Sequence, residues 1–224
     1  MRGDAWTFSI DRGGTFTDIV ARSPEGELIV RKLLSDNPER YDDAAVAGIR
    51  QILGEHREQG IASIKMGTTV ATNALLERRG AKTLFVTTEG FADALVIGDQ
   101  ARPDLFALDI DRPAPLYDRV VEAAGRLAAD GAEVAPLDLA GLRVKLEAAV
   151  ADGFASAAIA FLHADLNPAH EIAAGAAARA AGFAFVALSS EVSPLPRFIP
   201  RAETTVADAY LTPVLQAYVR QVAD

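Results

Sequence analysis

Apolar residues along this chain change spacing several times, and the changes mark out its elements. Phe8 and Ile10 stand between polar neighbours, and Ile19, Val20 and Ala21 resume an apolar run after Gly13-Gly14. That pattern predicts two strands joined by a Gly-Gly hairpin. Glu27 to Leu34 reads as a third strand of the same meander. The spacing then lengthens: Ala45, Ile49, Ile52 and Leu53 fall three or four apart, which predicts an amphipathic helix over 41–53, preceded by Pro38. Ile61 to Met66 is a short strand, and Thr69 to Gly80 a helix with a threonine cap and a glycine stop. Thr83 to Val86 makes another strand.

Between Gly90 and Pro136 the pattern loses regularity and reads as an insertion. It holds a short apolar helix around Phe91 to Ile97, a loop at Arg102-Pro103, and a hairpin suggested by Val120-Val121 and Asp130-Gly131. Ala123 to Ala129 is equally compatible with a helix. Rhythm returns with a helix from Asp138 to about Asp152, a strand at 157–161, a helix at 168–181 and a strand at 183–188. These are expected as βα units appended to the sheet, giving an α/β fold. Ser189 to Pro194 reads as a loop leaving it. Thr204 to Pro213 reads as the start of a helix, with Val206, Tyr210 and Val214 on one face.

Composition narrows the functional classes. A chain of 224 residues that is 50% hydrophobic and 24% charged has the balance of a globular protein. Its length lets it bury roughly 70% of its unfolded surface. The formal charge of −9 argues against a nucleic-acid surface but leaves a phosphate site open, since that needs only local backbone donors and a cation. There is no cysteine, so thiol catalysis, disulfides and Cys-based zinc sites are excluded. Arg2 to Trp6 lacks the apolar stretch of a signal peptide, and Arg179 and glycines interrupt the apolar run 172–188; a cytoplasmic chain without a membrane span is the expectation.

The richest chemistry lies at the first turn. Paired glycines permit positive φ and leave backbone N–H groups uncovered, so Gly13 and Gly14 suit an anion such as a phosphate, with Thr15 and Thr17 adding hydroxyl donors. Asp11 at the strand end would hold Mg²⁺, usually through water, or orient an attacking water. A bare D-x-G-G is also compatible with a plain hairpin. Gly67-Thr68-Thr69, where a strand feeds a helix, is either an anion site or a simple threonine cap. Arg102 is either a bidentate partner for a carboxylate or a surface arginine paired with Asp99 or Asp104. His163, at the end of a strand, reads as structural. No Walker P-loop, G-x-G-x-x-G or G-x-S-x-G is present.

Ile10 to Asp18 (I-D-R-G-G-T-F-T-D) resembles the opening signature of the hydantoinase A and 5-oxoprolinase family. Met66 to Arg78 and Ile97 to Phe106 resemble its second and third signatures, in the same order. Lys32 to Pro38, with Tyr41 and Asp43-Ala44, is closer to the ATP-dependent 5-oxoprolinase branch.

The resemblance implies a ribonuclease H-like, actin-like ATPase half-domain over 1–200 and the start of the next domain over 201–224. It also implies ATP and Mg²⁺ as cofactors. Asp11 would be the catalytic and metal residue; Asp11, Gly13, Gly14, Thr15 and Thr17 would bind the nucleotide, and Thr68, Thr69 and Arg102 the substrate. The substrate would be 5-oxoproline or a hydantoin-like cyclic amide. The expected partners are C-terminal domains or a subunit missing from this chain, in an oligomeric intact protein, with no nucleic acid and no membrane. Family members continue well beyond this length, so the chain is expected to be a fragment, inactive alone. Competing readings are a hydantoinase or ketone carboxylase subunit, or a non-catalytic half-domain that needs a partner lobe.

Overall fold

The computed structural model describes residues 5–54, 60–99, 106 and 113–223. The chain divides into two compact units, Met1–Arg79 with Val214–Asp224, and Gly80–Pro213. The architecture is α/β, with one mixed and one parallel four-stranded sheet.

The first unit begins with β1 (Trp6–Arg12), β2 (Phe16–Arg22) and β3 (Leu28–Leu34), an antiparallel meander as expected. Strict alternation puts Trp6, Phe8 and Ile10 of β1, and Thr17, Ile19 and Ala21 of β2, on one buried face. Helix α1 (Ala44–Leu53) covers that face with Ala45, Ile49, Ile52 and Leu53. Its N-cap is Asp43, whose carboxylate accepts from the Val46 N–H at 3.0 Å, a bond worth about 1 kcal/mol. Strand β4 (Ile61–Thr68) then pairs with β1 in parallel, giving the order β3-β2-β1-β4. Helix α2 (Val70–Leu76) follows directly. It ends before the predicted stop at Gly80, and that glycine serves a different need: a Cβ there would collide with the Tyr210 ring.

The second unit corrects the sequence reading most. Strand β5 (Thr83–Thr88) does not extend the first sheet, and the later βα units are not appended to it. They build a parallel sheet of their own from β5, β6 (Arg119–Ala123), β9 (Ser156–Ala160) and β10 (Phe185–Leu188), in the order β10-β9-β5-β6. Every residue of β9 is buried, as expected of a central parallel strand covered on both faces. One face carries α4 (Leu139–Ala151) and α5 (Ala169–Ala181), through Leu142, Leu146, Ala174 and Ala178. The other carries α3 (Ala94–Ile97) through Leu95, and α7 (Phe198–Ala223) through Ala202, Val206 and Ala209.

The expected hairpin also changes. Val120-Val121 lies in β6, parallel to β5, whereas Asp130-Gly131 turns a separate ribbon of β7 (Arg126–Leu127) and β8 (Glu133–Ala135). Residues 123–129 are not helical. Ser189 to Val192 forms the short helix α6 rather than a loop. Helix α7 starts at Phe198, so residue 200 lies inside it. Val206 and Tyr210, expected to be uncovered for the next domain that the family resemblance implies, are buried.

Candidate functional site

The hairpin between β1 and β2 is closed by Gly13, whose N–H donates to the Phe16 carbonyl at 3.0 Å. Neither Gly13 nor Gly14 takes the left-handed φ that the sequence suggested; both are needed for close approach instead. A Cβ on Gly13 would sit 3.1 Å from the Phe16 carbonyl oxygen, and one on Gly14 would sit 3.1 Å from Asn73 Nδ2. Among the described residues the N–H groups of Gly14 and Thr15 donate to nothing, so two backbone donors remain open on an exposed tip.

Parallel pairing of β1 with β4 sets Asp11 beside Gly67 and Arg12 beside Thr68. This brings the two sequence-predicted clusters together. Asp11 is exposed, and Gly67 lies close beside it, where a Cβ would stand 3.7 Å from its Oδ1, in ordinary van der Waals contact. Across the hairpin Asp18 faces Asp11, and Lys32 Nζ donates to both Asp18 oxygens at 2.9 Å. Asp11 has no such cationic partner among the described residues.

Thr68 and Thr69 are exposed beside this carboxylate, but their surroundings differ from the anion site considered above. The Thr69 N–H donates to the Arg12 carbonyl at 3.1 Å, and the Val70 N–H donates to Thr68 Oγ1 at 3.2 Å. The Thr69 and Val70 amides are therefore already used, and the Thr69 hydroxyl also reaches the Arg12 carbonyl at 3.4 Å, which leaves the Thr68 hydroxyl the less engaged of the two. Asn73 Nδ2 donates to Thr69 Oγ1 at 3.4 Å, which places the Asn73 amide over Gly14.

Thr17 lies away from the open tip. It is fully buried and shares a 2.9 Å hydrogen bond with Ser35 Oγ, which also donates to the Gly13 carbonyl at 2.7 Å. Thr17 thus anchors the hairpin from beneath. Alternation could have shown this, since Thr17 shares the core face with Ile19 and Ala21. Arg102 lies outside the described residues. Sequence reasoning missed Ser35, Asp43, Asn73 and Tyr218. Asn73 carried the one local signal, its position one helical turn after Thr69.

Beneath the loop, Arg12 Nη1 pairs with Asp43 Oδ2 at 2.5 Å, and its guanidinium lies 4.6 Å from the centre of the Tyr218 ring. The Tyr218 hydroxyl meets Met66 Sδ at 3.1 Å. Burial pushes the Tyr218 pKa above its usual value, and contact with Arg12 opposes that shift without cancelling it.

In the second unit the polar groups near the sheet's end form a closed network. Glu171, fully buried, accepts from Phe161 N–H at 2.8 Å, Ser189 Oγ at 2.5 Å and Ser190 N–H at 2.8 Å. Arg201 binds Ser189 Oγ, Asp165 and two carbonyls. His163 takes a positive φ of 59°, and its carbonyl accepts from Leu166 and Asn167, which fits the structural reading. No group of three His, Asp or Glu side chains able to hold a metal occurs among the described residues.

The chain as a whole is similar to known proteins. A 5-oxoprolinase of Saccharomyces cerevisiae is 41% identical over 96% of this chain, which spans only 20% of that protein. The crystal structure of ATP-dependent caprolactamase from Pseudomonas jessenii matches with a TM-score of 0.77 and 30% identity, over 97% of this chain and 33% of that one. Acetone carboxylase in its nucleotide-free structure shares the fold, with a TM-score of 0.73 at 21% identity, over 94% of this chain and 32% of that one. Residues 7–182 match the N-terminal region of the hydantoinase/oxoprolinase family, and the chain belongs to that family.

Proposed function

We propose that this chain is the nucleotide-phosphate-binding N-terminal part of an ATP-dependent 5-oxoprolinase, an enzyme that opens 5-oxo-L-proline to L-glutamate at the expense of ATP. One observation carries the reading. The uncovered Asp11 carboxylate stands at the end of β1, next to a hairpin tip with two open backbone N–H donors. The meander β1-β2-β3 followed by parallel β4 supports the finer assignment to a ribonuclease H-like, actin-like half-domain.

The residues present fit Mg²⁺-ATP. An exposed carboxylate without a competing cation suits a metal that retains most of its waters, and backbone N–H groups that make no hydrogen bond within the hairpin suit phosphate oxygens. ATP would supply the driving force for opening a lactam that amide resonance protects. In this reading Asp11 holds the metal through water or orients the attacking water. Gly14 and Thr15 bind phosphate through their N–H groups, and the Thr15, Thr68 and Thr69 hydroxyls are the further donors toward nucleotide or substrate. Gly13 closes the turn, and Thr17 supports it from below. Arg102 remains a substrate candidate by its place in the third family signature.

Two open amides and a few hydroxyls are a partial site. We assign the remaining donors to the polypeptide that the longer relatives carry, or to a partner subunit, in an oligomeric enzyme. No helix among the described residues is long and apolar enough to cross a membrane, and we place the enzyme in the cytoplasm. The test is ATPase activity of this chain alone and of a protein of the relatives' length, each with 5-oxoproline, hydantoins, and acetone with bicarbonate. The reading expects 5-oxoproline-dependent ATP hydrolysis from the long form only. Stimulation by hydantoins or by acetone with bicarbonate instead would replace the substrate assignment.

A further inference from the structure

Arg12 occupies the position between the two groups that matter most, Asp11 and Gly13, yet its side chain points the other way. Strand alternation places Asp11 on the exposed face and Arg12 on the face of Phe8 and Ile10. There the guanidinium is largely buried and meets three partners from three parts of the chain. Asp43 supplies a carboxylate at 2.5 Å while its other oxygen caps α1. Ser35 supplies its carbonyl at 3.4 Å, and its hydroxyl binds the Gly13 carbonyl. Tyr218, from the last turns of α7, supplies its ring face at 4.6 Å.

Tyr218 is itself held by its hydroxyl on Met66 Sδ, and Met66 immediately precedes Gly67, the β4 residue paired with Asp11. The ring therefore touches both strands whose ends form the site.

We infer that Tyr218, together with Asp43, is a positioning residue for the phosphate loop: by holding the Arg12 guanidinium beneath the hairpin, it fixes the Arg12-Gly13 peptide and preorganises the loop. This rests on the reading of the hairpin as a phosphate site. The physical basis is that a cation held between a carboxylate and an aromatic face in a largely dry setting loses most of its freedom, and the backbone it belongs to loses freedom with it. A preformed anion cradle avoids the ordering cost that a mobile one would meet on binding.

The test compares Tyr218→Leu, which keeps an apolar side chain but removes the ring face, with Tyr218→Phe, which keeps the ring. Three amides report on the loop's frame because each is hydrogen-bonded to it or within it: Gly13, Ser35 and Thr69. In Tyr218→Leu their hydrogen exchange should quicken about tenfold, the scale of a desolvated cation–π contact, while Ile19 and Ala21 in the core of β2 keep their rates. Tyr218→Phe keeps the ring and loses only the contact with Met66, so its exchange should rise by no more than about twofold. Binding of Mg²⁺-ATP should weaken about tenfold in the leucine variant and recover in the phenylalanine variant.

Exchange at the three amides unchanged within about twofold in Tyr218→Leu would overturn the inference. So would an equal rise at Ile19 and Ala21, which would make Tyr218 an ordinary core residue. If the unmodified chain binds no Mg²⁺-ATP, the phosphate reading falls, and the exchange comparison alone still decides whether Tyr218 positions the loop.

Discussion

Replacing Ser35 with alanine should loosen the hairpin by an amount that the hydrogen bonds define. Ser35 Oγ is buried, donates to the Gly13 carbonyl at 2.7 Å and shares a 2.9 Å bond with the fully buried Thr17 hydroxyl. Alanine leaves Thr17 Oγ1 with no partner in a dry site, which costs about 1–3 kcal/mol. The Gly13 carbonyl, close to the open tip, recovers part of its loss from water, so that bond adds about 0.5–1 kcal/mol. The expected total is about 1.5–4 kcal/mol.

A double-mutant cycle separates the orphaned hydroxyl from general loss of packing. Thr17→Val alone should cost about 1 kcal/mol, because Ser35 keeps its bond to Gly13. In the double variant no hydroxyl is stranded, so the total should fall below the sum of the single costs by about 1 kcal/mol. Trp6 is the only tryptophan and is buried in β1, so its fluorescence in urea titrations follows this unit. A Ser35→Ala cost under about 0.5 kcal/mol, or strict additivity, would refute the account of how the loop is anchored.

Asp11→Asn, in a protein of the relatives' length, should abolish ATP-coupled turnover while unfolding at the same urea concentration; activity within about threefold of the unmodified enzyme would reject its role. Glu171→Gln should destabilise the second unit by about 3 kcal/mol, because an amide NH₂ would face one of the donors that the buried carboxylate now accepts. A loss under about 1 kcal/mol in thermal or chemical unfolding would refute that. Tyr218 has a raised folded-state pKa, so the folded protein holds this proton at pH values where the unfolded chain releases it. Its contribution is complete below about pH 10 and is lost as pH rises through the folded pKa. Stability in alkaline titrations should therefore fall less steeply in Tyr218→Phe, and identical slopes would contradict the cause given.

Local order was readable where local chemistry decides it. Alternation at Phe8, Ile10, Ile19 and Ala21 marks the hairpin, and the spacing of Ala45, Ile49 and Ile52 marks α1, because each reflects one buried face. The partner of a strand is a different matter. Nothing within Thr83 to Thr88 says whether β5 continues the first sheet or founds a second, since that depends on β6 and β9, which come much later in the chain. The glycines show the same limit. Gly13-Gly14 was readable as a turn, but the reason for glycine is the approach of Phe16 and Asn73, and Asn73 is distant in sequence. Asp11 with Gly14, and Thr68 with Thr69, were legible as two separate candidate clusters at strand ends; that the parallel pairing of β1 with β4 sets them side by side was not. Tyr218 was not, because an aromatic residue in a helix usually reports core packing and its partner Arg12 lies at the opposite end of the chain.

The central claim is that the tip of the first hairpin binds nucleotide phosphate with Asp11 as the metal carboxylate. Amide NMR shifts of this chain, followed during titration with ATP in the presence and absence of Mg²⁺, test it most directly, since they detect weak binding residue by residue. The account predicts shifts centred on Gly14 and Thr15 and reaching Gly67 and Thr68, dependent on Mg²⁺ and losing that dependence in Asp11→Asn. Absence of shifts at Gly14 and Thr15 at millimolar ATP, or shifts indifferent to both Mg²⁺ and Asp11, would contradict it.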